Sequence, residues 1–220
     1  MSGRLEFVLR TVMSARLSVK HKSRQPGRLW VALTFGDWAK MGGRAMADEP
    51  EFMCDAMLGG LARWLRAAGY SAWFDVHARD GDLVRRALEE GRWLLTSDAG
   101  ILERYAVSEG LVRCLFVPHG LSTIHQLAHV MGVLKLNPKN SRCMDCGGEL
   151  AEVPLTEVAT EIPEKVKETC AHFYRCAGCG KVYWHGTHWN SIQTRLRRAQ
   201  KLAGAEAKSD GPHDRQSSSP

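Results

Sequence analysis

Two cysteine pairs in the last third of the chain constrain its fold more than any other feature of the sequence. Each pair has the pattern C-x₂-C followed directly by glycine, in CMDCGG and in CAGCGK. The glycine lets the backbone turn so that both thiolates face one point, and two such turns supply the four sulfur ligands of structural zinc. The sequence therefore predicts a zinc site formed by Cys143, Cys146, Cys176 and Cys179.

Disulfide bonds and a redox dithiol are the alternatives for these cysteines. Disulfides are typical of secreted chains, and the N-terminus has no apolar segment followed by a small-residue cleavage site. A redox function is less favoured because there are two pairs, and neither lies at a strand-to-helix turn of the first half of the chain. Of the remaining cysteines, Cys54 and Cys114 lie in apolar runs and are interpreted as small core residues.

The region before the cysteine pairs alternates short apolar runs with helical patterns. Strands are predicted at 51–54, 70–74, 92–97 and 111–117. The segments between them carry apolar residues at spacings of three and four, which is typical of one-sided helices. Strand–helix–strand units with short connections indicate a parallel sheet, and continuous apolar strands such as WLLT fit a sheet covered on both faces. The predicted fold class is α/β.

Four segments follow from these patterns. Residues 1–45 form a basic N-terminal extension, either disordered or a misassigned start, with Met46 as the natural initiator. Residues 50–135 form the α/β domain, 140–200 the zinc ribbon with a basic C-terminal helix, and 204–220 a disordered tail. Within the ribbon, His188 and Trp189 are expected on a loop, and the helix is expected to begin at Ser191.

Charge is concentrated at one end of the chain. The formal net charge is +6, but residues 1–45 hold nine basic and two acidic residues, which leaves 21 basic against 22 acidic in the rest. The net charge is therefore poor evidence for a nucleic-acid partner. No apolar run approaches the roughly 18 residues of a membrane span, so no membrane association and a cytoplasmic location are expected.

Aspartates follow the predicted strands. Asp55, Asp75 and Asp98 each end a strand, and Asp80 begins the helix after the second strand. Because the carboxyl ends of parallel strands share one edge of the sheet, these carboxylates can meet in space. Converging carboxylates repel one another unless a hard cation such as Mg²⁺ or Mn²⁺ lies among them. Such an ion can activate water and stabilise the charge that develops on a phosphate.

Helix capping is the alternative explanation for these acids. Aspartate is a favoured N-cap residue, and for any single one of them the cap is the simpler interpretation. The joint placement of Asp55 and Asp98 on strands that flank each other favours a metal site, because capping does not predict that placement.

Other phosphate chemistries fit less well. The chain has no P-loop motif and no G-x-S-x-G elbow. A phosphoryl-accepting aspartate normally has a lysine on a later strand, and no lysine occurs between residues 41 and 134.

The segments FMCDAMLGGLARWLRAAGY, ARDGDLVRRALEEGRWLLTSDAGIL, CMDCGGEL and CAGCGKVYWHGTHW, in this order, resemble the Mut-seven C-terminal RNase domain family over roughly 51–195. The resemblance implies a PIN-like, three-layer nuclease domain followed by a small zinc-ribbon domain. It implies catalytic roles for Asp55, Asp80 (or Asp82) and Asp98. Where such families often carry further acids after the fourth strand, this chain has Pro118-His119-Gly120.

The predicted function is that of a metal-dependent ribonuclease that hydrolyses RNA phosphodiester bonds. Asp55 and Asp98 would bind Mg²⁺ or Mn²⁺, the zinc would be structural, and the ribbon would help to bind RNA. Basic and aromatic side chains are the candidate RNA contacts, namely Arg63, Lys181, Trp184 and Arg195. For them, and for Arg66 beside Arg63, a solvated helix face or a ribbon core is the alternative. The alternative function is a non-catalytic RNA- or protein-binding module with a degenerate PIN-like core.

Overall fold

The structure is a computed structural model that describes residues 49–209 of the 220-residue chain. The predicted extension over residues 1–45 lies outside the described residues, as do residues 210–220.

A four-stranded parallel sheet forms the first half of the described chain. Its strands are β1 (Phe52–Cys54), β2 (Ala72–Phe74), β3 (Trp93–Thr96) and β4 (Cys114–Phe116), in the order β2-β1-β3-β4. The two central strands are buried along their whole length, which explains why their sequences are continuously apolar. The predicted α/β class with a parallel sheet is confirmed.

Helices cover both faces of this sheet. The chain forms a 3₁₀ turn (Ala56–Leu58), α1 (Gly59–Ala67), α2 (Asp80–Glu90), α3 (Ala99–Leu102), α4 (Tyr105–Ser108) and α5 (Thr123–Val133). Side chains alternate along β1, so that Phe52 packs in the core with α1 and α5, and Met53 packs in a separate core with α2 and α3. Two cores on opposite faces give three layers, with the sheet in the middle.

Two glycines let α1 begin close to its neighbours. A Cβ atom at Gly59 would lie 2.6 Å from Cζ of Phe74, the last residue of β2. A Cβ atom at Gly60 would lie 3.3 Å from Oγ1 of Thr123, the first residue of α5. The first turn of α1, which follows Asp55 and the 3₁₀ turn, therefore packs against the carboxyl end of β2 and the start of α5.

A small antiparallel sheet follows, with its own core. Its strands β5 (Leu150–Val153), β6 (Phe173–Cys176) and β7 (Val182–Trp184) lie in the order β5-β6-β7. The segment between β5 and β6 forms α6 (Leu155–Val158) and α7 (Glu164–Thr169). Val158, Ile162 and Phe173 form the buried centre, against which Trp184 packs.

The C-terminal helix α8 (Thr187–Ser209) differs from the prediction at both ends. It begins four residues before Ser191, because the Gly186 carbonyl accepts from the Asn190 backbone N–H at 3.2 Å and closes an earlier turn. His188 and Trp189 are therefore helical and not on a loop, and the predicted tail begins too early, since 204–209 are helical.

Small and apolar side chains of α8 pack on the first domain. Leu196, Ala199 and Ala203 are buried in the same core as Leu127 of α5. These three residues, at positions i, i+3 and i+7, form an apolar stripe along one face of α8. The arginines of the helix lie outside this stripe and are exposed. Among the helices of residues 49–209, none is long and apolar enough to cross a lipid bilayer.

Arg66 joins the zinc-binding half of the chain to the parallel sheet. Its guanidinium donates to the carbonyl oxygens of Ala72 at 2.8 Å, Met144 at 3.2 Å and Asp145 at 2.6 Å. The Arg142 N–H donates to the Arg66 carbonyl oxygen at 2.9 Å. Arg66 is only 7% exposed, so the interpretation that it faces solvent or phosphate is wrong. Its acceptors are backbone carbonyls of the first cysteine knuckle, which helical spacing cannot reveal.

We expect Arg66→Met to lower the free energy of unfolding by about 3 kcal/mol, because it leaves three carbonyls without their charged donor. Urea denaturation of the zinc-loaded protein measures this change. Arg63→Met on the same helix is the control and should stay within about 0.5 kcal/mol of the parent, because Arg63 is largely exposed. Equal losses in the two variants would contradict the assignment.

Candidate functional site

Asp55 lies at the carboxyl end of β1 and is held by three hydrogen bonds. Its Oδ1 accepts from the Met57 N–H at 2.8 Å, which makes it the N-cap of the 3₁₀ turn. Its Oδ2 accepts from the Thr96 hydroxyl at 2.6 Å and from the Ser97 N–H at 2.7 Å. The side chain therefore caps a helical turn and is also fixed to the end of the neighbouring strand β3. Asp55 is only 4% exposed.

Asp98 lies at the end of β3, beside Asp55, and is exposed. Its Oδ1 accepts from the Gly100 N–H at 2.7 Å, so it also acts as a helix N-cap. Its backbone N–H donates to Thr96 Oγ1 at 2.9 Å. One hydroxyl, that of Thr96, therefore connects the Asp55 carboxylate with the Asp98 backbone. The structure brings these two predicted site residues to the same sheet edge.

Sequence reasoning missed Thr96 and Ser97 as supports for these acids. Both are buried, and the Ser97 hydroxyl donates to the Val117 carbonyl oxygen at 2.8 Å, which ties β3 to the end of β4. The available signal was two adjacent hydroxyl residues closing a buried apolar strand, since buried polar side chains need partners.

The third predicted acid has a different environment. Asp80 is the first residue of α2, and its Oδ2 lies 3.3 Å from the Arg104 guanidinium. Asp82, its alternative, pairs with Arg85 on the same helix at 3.3 Å. Asp75, after β2, accepts from the His77 N–H at 2.9 Å. Within residues 49–209 these acids do not form a group of three with Asp55 or Asp98 close enough to share one ion.

Two carboxylates still suit a hard cation. A carboxylate offers about four acceptor positions, of which Asp55 uses three and Asp98 one in the described contacts. Mg²⁺ is commonly held by one or two carboxylates together with water and substrate phosphates. Asp55 and Asp98 therefore each keep an acceptor position of the kind that such an ion uses.

The four predicted zinc ligands lie together. Their Sγ atoms are all within 4.8 Å of one another, with 3.6 Å between Cys143 and Cys179 and 3.4 Å between Cys146 and Cys176. A tetrahedral ion with Zn–S bonds of about 2.3 Å places its sulfurs about 3.8 Å apart, so this set can bind zinc. Gly147 and Gly180, which follow the knuckles, have φ of 82° and 75°, as the predicted turns require.

The thiols cannot all be charged without a cation. Burial raises the pKa of Cys143, but hydrogen bonds from the Cys146 N–H and the Tyr183 hydroxyl outweigh this effect and lower it to about 6. A hydrogen bond from the Gly148 N–H lowers the pKa of Cys146, but burial and the neighbouring cysteines outweigh it and raise this pKa to about 12. One thiolate thus opposes the ionisation of the next, and a divalent ion removes this conflict.

Two further cysteines are inert core residues, as predicted. Burial raises the pKa of Cys54 far above its ordinary value and that of Cys114 to about 12. A thiol that stays protonated is a poor nucleophile and a poor metal ligand.

Three of the four candidate RNA contacts line one cleft. Arg63, Lys181 and Trp184 lie in the wall of a cleft of about 900 Å³ between α1 and the small sheet. The fourth, Arg195, lies outside this wall, with its guanidinium 5.7 Å from the ring centroid of Trp64.

We expect Thr96→Val to lower the free energy of unfolding by about 2 kcal/mol, because the near-isosteric change removes a donor to Asp55 and the acceptor of the Asp98 N–H. Chemical denaturation measures this change. Thr156→Val, at an exposed position of α6, should stay within about 0.5 kcal/mol of the parent. Indistinguishable stabilities for the two variants would refute the bridging role of Thr96.

We expect Tyr183→Phe to weaken zinc affinity roughly tenfold, because the Tyr183 hydroxyl lies 3.1 Å from Cys143 Sγ, and partners of metal ligands commonly contribute this much. Competition with a chromophoric chelator measures the affinity. Tyr174→Phe on the adjoining strand is the control and should bind zinc like the parent. A Tyr183→Phe protein with unchanged affinity would show that this contact does not support the metal.

Comparison with known proteins agrees with this architecture. The family model described as the Mut7-C RNAse domain matches residues 50–196, more than half of the chain. No curated protein and no solved structure matches the chain. The matched family indicates a nuclease-like role with RNA as a ligand. The chain belongs to the Mut7-C RNAse domain family.

Proposed function

We propose that this protein is a metal-dependent ribonuclease in which Asp55 and Asp98 bind Mg²⁺ or Mn²⁺ and RNA is hydrolysed at the carboxyl edge of the parallel sheet. The observation that carries the proposal is the pre-organised carboxylate of Asp55, buried and held by three donors beside Asp98. A buried carboxylate whose position is fixed before the ion arrives loses little side-chain freedom on binding it.

Asp55 and Asp98 are proposed to have different roles because they differ in exposure. Asp55 is fixed at the base of the site, and Asp98 is exposed where an RNA phosphate can approach. The bound ion would lower the pKa of a water molecule and neutralise charge on the scissile phosphate. Asp80, whose carboxylate pairs with Arg104, is proposed to position water and not to bind the ion itself. The zinc is proposed to be structural, and the ribbon to aid RNA binding.

The sharpest test is Asp98→Asn. Asparagine is as good an N-cap as aspartate, so the fold of this variant should be retained while one metal ligand loses its charge. Cleavage of single-stranded RNA in Mg²⁺ or Mn²⁺ should fall about 100-fold or more. Cleavage by the Asp55→Asn protein should fall by a similar factor. This substitution also places an amide against three donors, so the folding of the variant must be checked by circular dichroism.

Glu89→Gln is the matched control for this test. It removes one exposed carboxylate near the C-terminus of α2, at the opposite edge of the sheet, and should cleave RNA like the parent. Equal cleavage by the folded Asp98→Asn protein and the parent would overturn the proposal.

A non-catalytic RNA- or protein-binding module is the second candidate. It is favoured by the capping roles of Asp55 and Asp98, which explain both acids without any ion. Isothermal titration of Mn²⁺ into the zinc-loaded protein separates the candidates. Saturable binding that Asp98→Asn removes supports the ribonuclease, and its absence in the parent supports the binding module.

A further inference from the structure

The cleft between α1 and the small sheet, called here the ribbon cleft, is lined by two kinds of side chain. Arg63 of α1 and Lys181 before β7 are basic. Tyr174 of β6, His185 after β7 and Trp189 of α8 are aromatic. The volume of about 900 Å³ is at the upper end of the range for small-molecule sites, about 300–1,000 Å³.

The aromatic wall is a continuous series of rings. His185 stacks on Trp189 with centroids 4.6 Å apart and planes at 17°, and Tyr174 lies 5.0 Å from His185. Burial and the neighbouring His172 lower the pKa of His185, so this ring is neutral at neutral pH. The outer face of such a series of rings is a surface on which a nucleotide base can stack.

Tyr174 and Trp189 contact the His185 ring but do not fill a hydrophobic core of the described residues. Trp184 packs against the core of the small sheet, and the Tyr183 hydroxyl contacts Cys143. Tyr174 and Trp189, by contrast, belong to none of the core clusters that the described residues form. The core-filling explanation therefore accounts for Tyr183 and Trp184 but leaves the wall of the ribbon cleft unexplained.

The lining of the ribbon cleft also presents positive charge. Arg63 is 59% exposed and lies 3.8 Å from Asp145, a loose contact that leaves most of its N–H donors available. The Lys181 ammonium, 51% exposed, pairs with the same carboxylate. Asp145 thus holds both cations close together in the lining of the cleft. Basic side chains in the same groove as aromatic rings are the arrangement that binds a phosphate backbone and its bases together.

We propose that the ribbon cleft binds a single-stranded RNA segment, with bases stacked on the wall formed by Tyr174, His185 and Trp189 and phosphates contacted by Arg63 and Lys181. The ligand is single-stranded because the faces of paired bases are stacked inside a duplex and cannot reach these rings. Stacking tolerates any base, so the site is selective for strandedness and not for sequence.

If RNA is cleaved at Asp55 and Asp98 as proposed, the ribbon cleft also determines which lengths of RNA are cleaved efficiently. This part of the inference rests on the proposed function. Arg63 follows Asp55 by eight residues, which is about 12 Å along a helix. An RNA that occupies the ribbon cleft and reaches the carboxyl edge of the sheet must therefore span several nucleotides. Loss of the cleft should raise KM for such RNAs with little change in kcat, and a dinucleotide should be cleaved equally by parent and variant.

The test measures binding without cleavage. A fluorescein-labelled single-stranded RNA of ten uridines is titrated with zinc-loaded protein, without added Mg²⁺ or Mn²⁺, and anisotropy is recorded. Trp189→Ala should weaken binding about tenfold, and Trp189→Phe, which keeps a ring, should bind within about threefold of the parent. Tyr105→Ala is the control, since Tyr105 is an exposed aromatic on α4, outside the cleft. Zinc content and circular dichroism confirm that each variant is folded.

The outcomes separate the two proposals. Equal binding by folded Trp189→Ala and parent would overturn the cleft assignment, and so would a parent that binds no single-stranded RNA, which would leave the cleft to a protein partner. Preferential binding of a duplex of the same length would overturn it as well. Loss of cleavage in Asp98→Asn together with unchanged RNA binding in Trp189→Ala contradicts RNA binding in the cleft and supports the ribonuclease proposal. Unchanged cleavage in Asp98→Asn together with weakened binding in Trp189→Ala contradicts the ribonuclease proposal and supports RNA binding in the cleft.

Discussion

The buried guanidinium of Arg66 is the contact on which the arrangement of the two sheets depends. It donates hydrogen bonds both to the carbonyl at the start of β2 and to two carbonyls of the first cysteine knuckle. These bonds hold the four-cysteine cluster against α1. The lining of the ribbon cleft depends on this attachment, since it combines Arg63 of α1 with residues of the small sheet and of α8. A charged group with all its partners in the backbone also demands a specific geometry, because burying it unpaired would be costly.

The capping contacts of the acids at the carboxyl edge are compatible with the metal binding proposed for them. Asp55 and Asp98 each satisfy backbone N–H groups, as any N-cap does. The hydrogen bond from Thr96 to Asp55 adds what capping alone does not need, a fixed link between the ends of two strands. The same hydrogen bonds that stabilise helix starts therefore hold a carboxylate in place before any ion binds.

Local patterns predicted most of the fold correctly. Apolar runs and helical spacing indicated the four parallel strands and their helices, and the C-x₂-C-G pattern indicated four clustered thiols, because these features depend on residues close in sequence. The errors concern burial against distant segments and one helix start. Arg66 was assigned to a surface, the start of α8 was placed too late, and the stripe formed by Leu196, Ala199 and Ala203 was hidden among arginines.

The sequence by itself determined the parallel sheet, the aspartates that follow its strands and the cysteine ligands, because periodicity, strand ends and ligand spacing are local properties. Only the tertiary structure decided which acids meet and which surfaces face each other. Asp55 accepts from the Thr96 hydroxyl, whereas Asp80 pairs with Arg104, and Arg63 lies beside Asp145 in the lining of a cleft. These relations depend on packing between segments tens of residues apart, which no local pattern encodes.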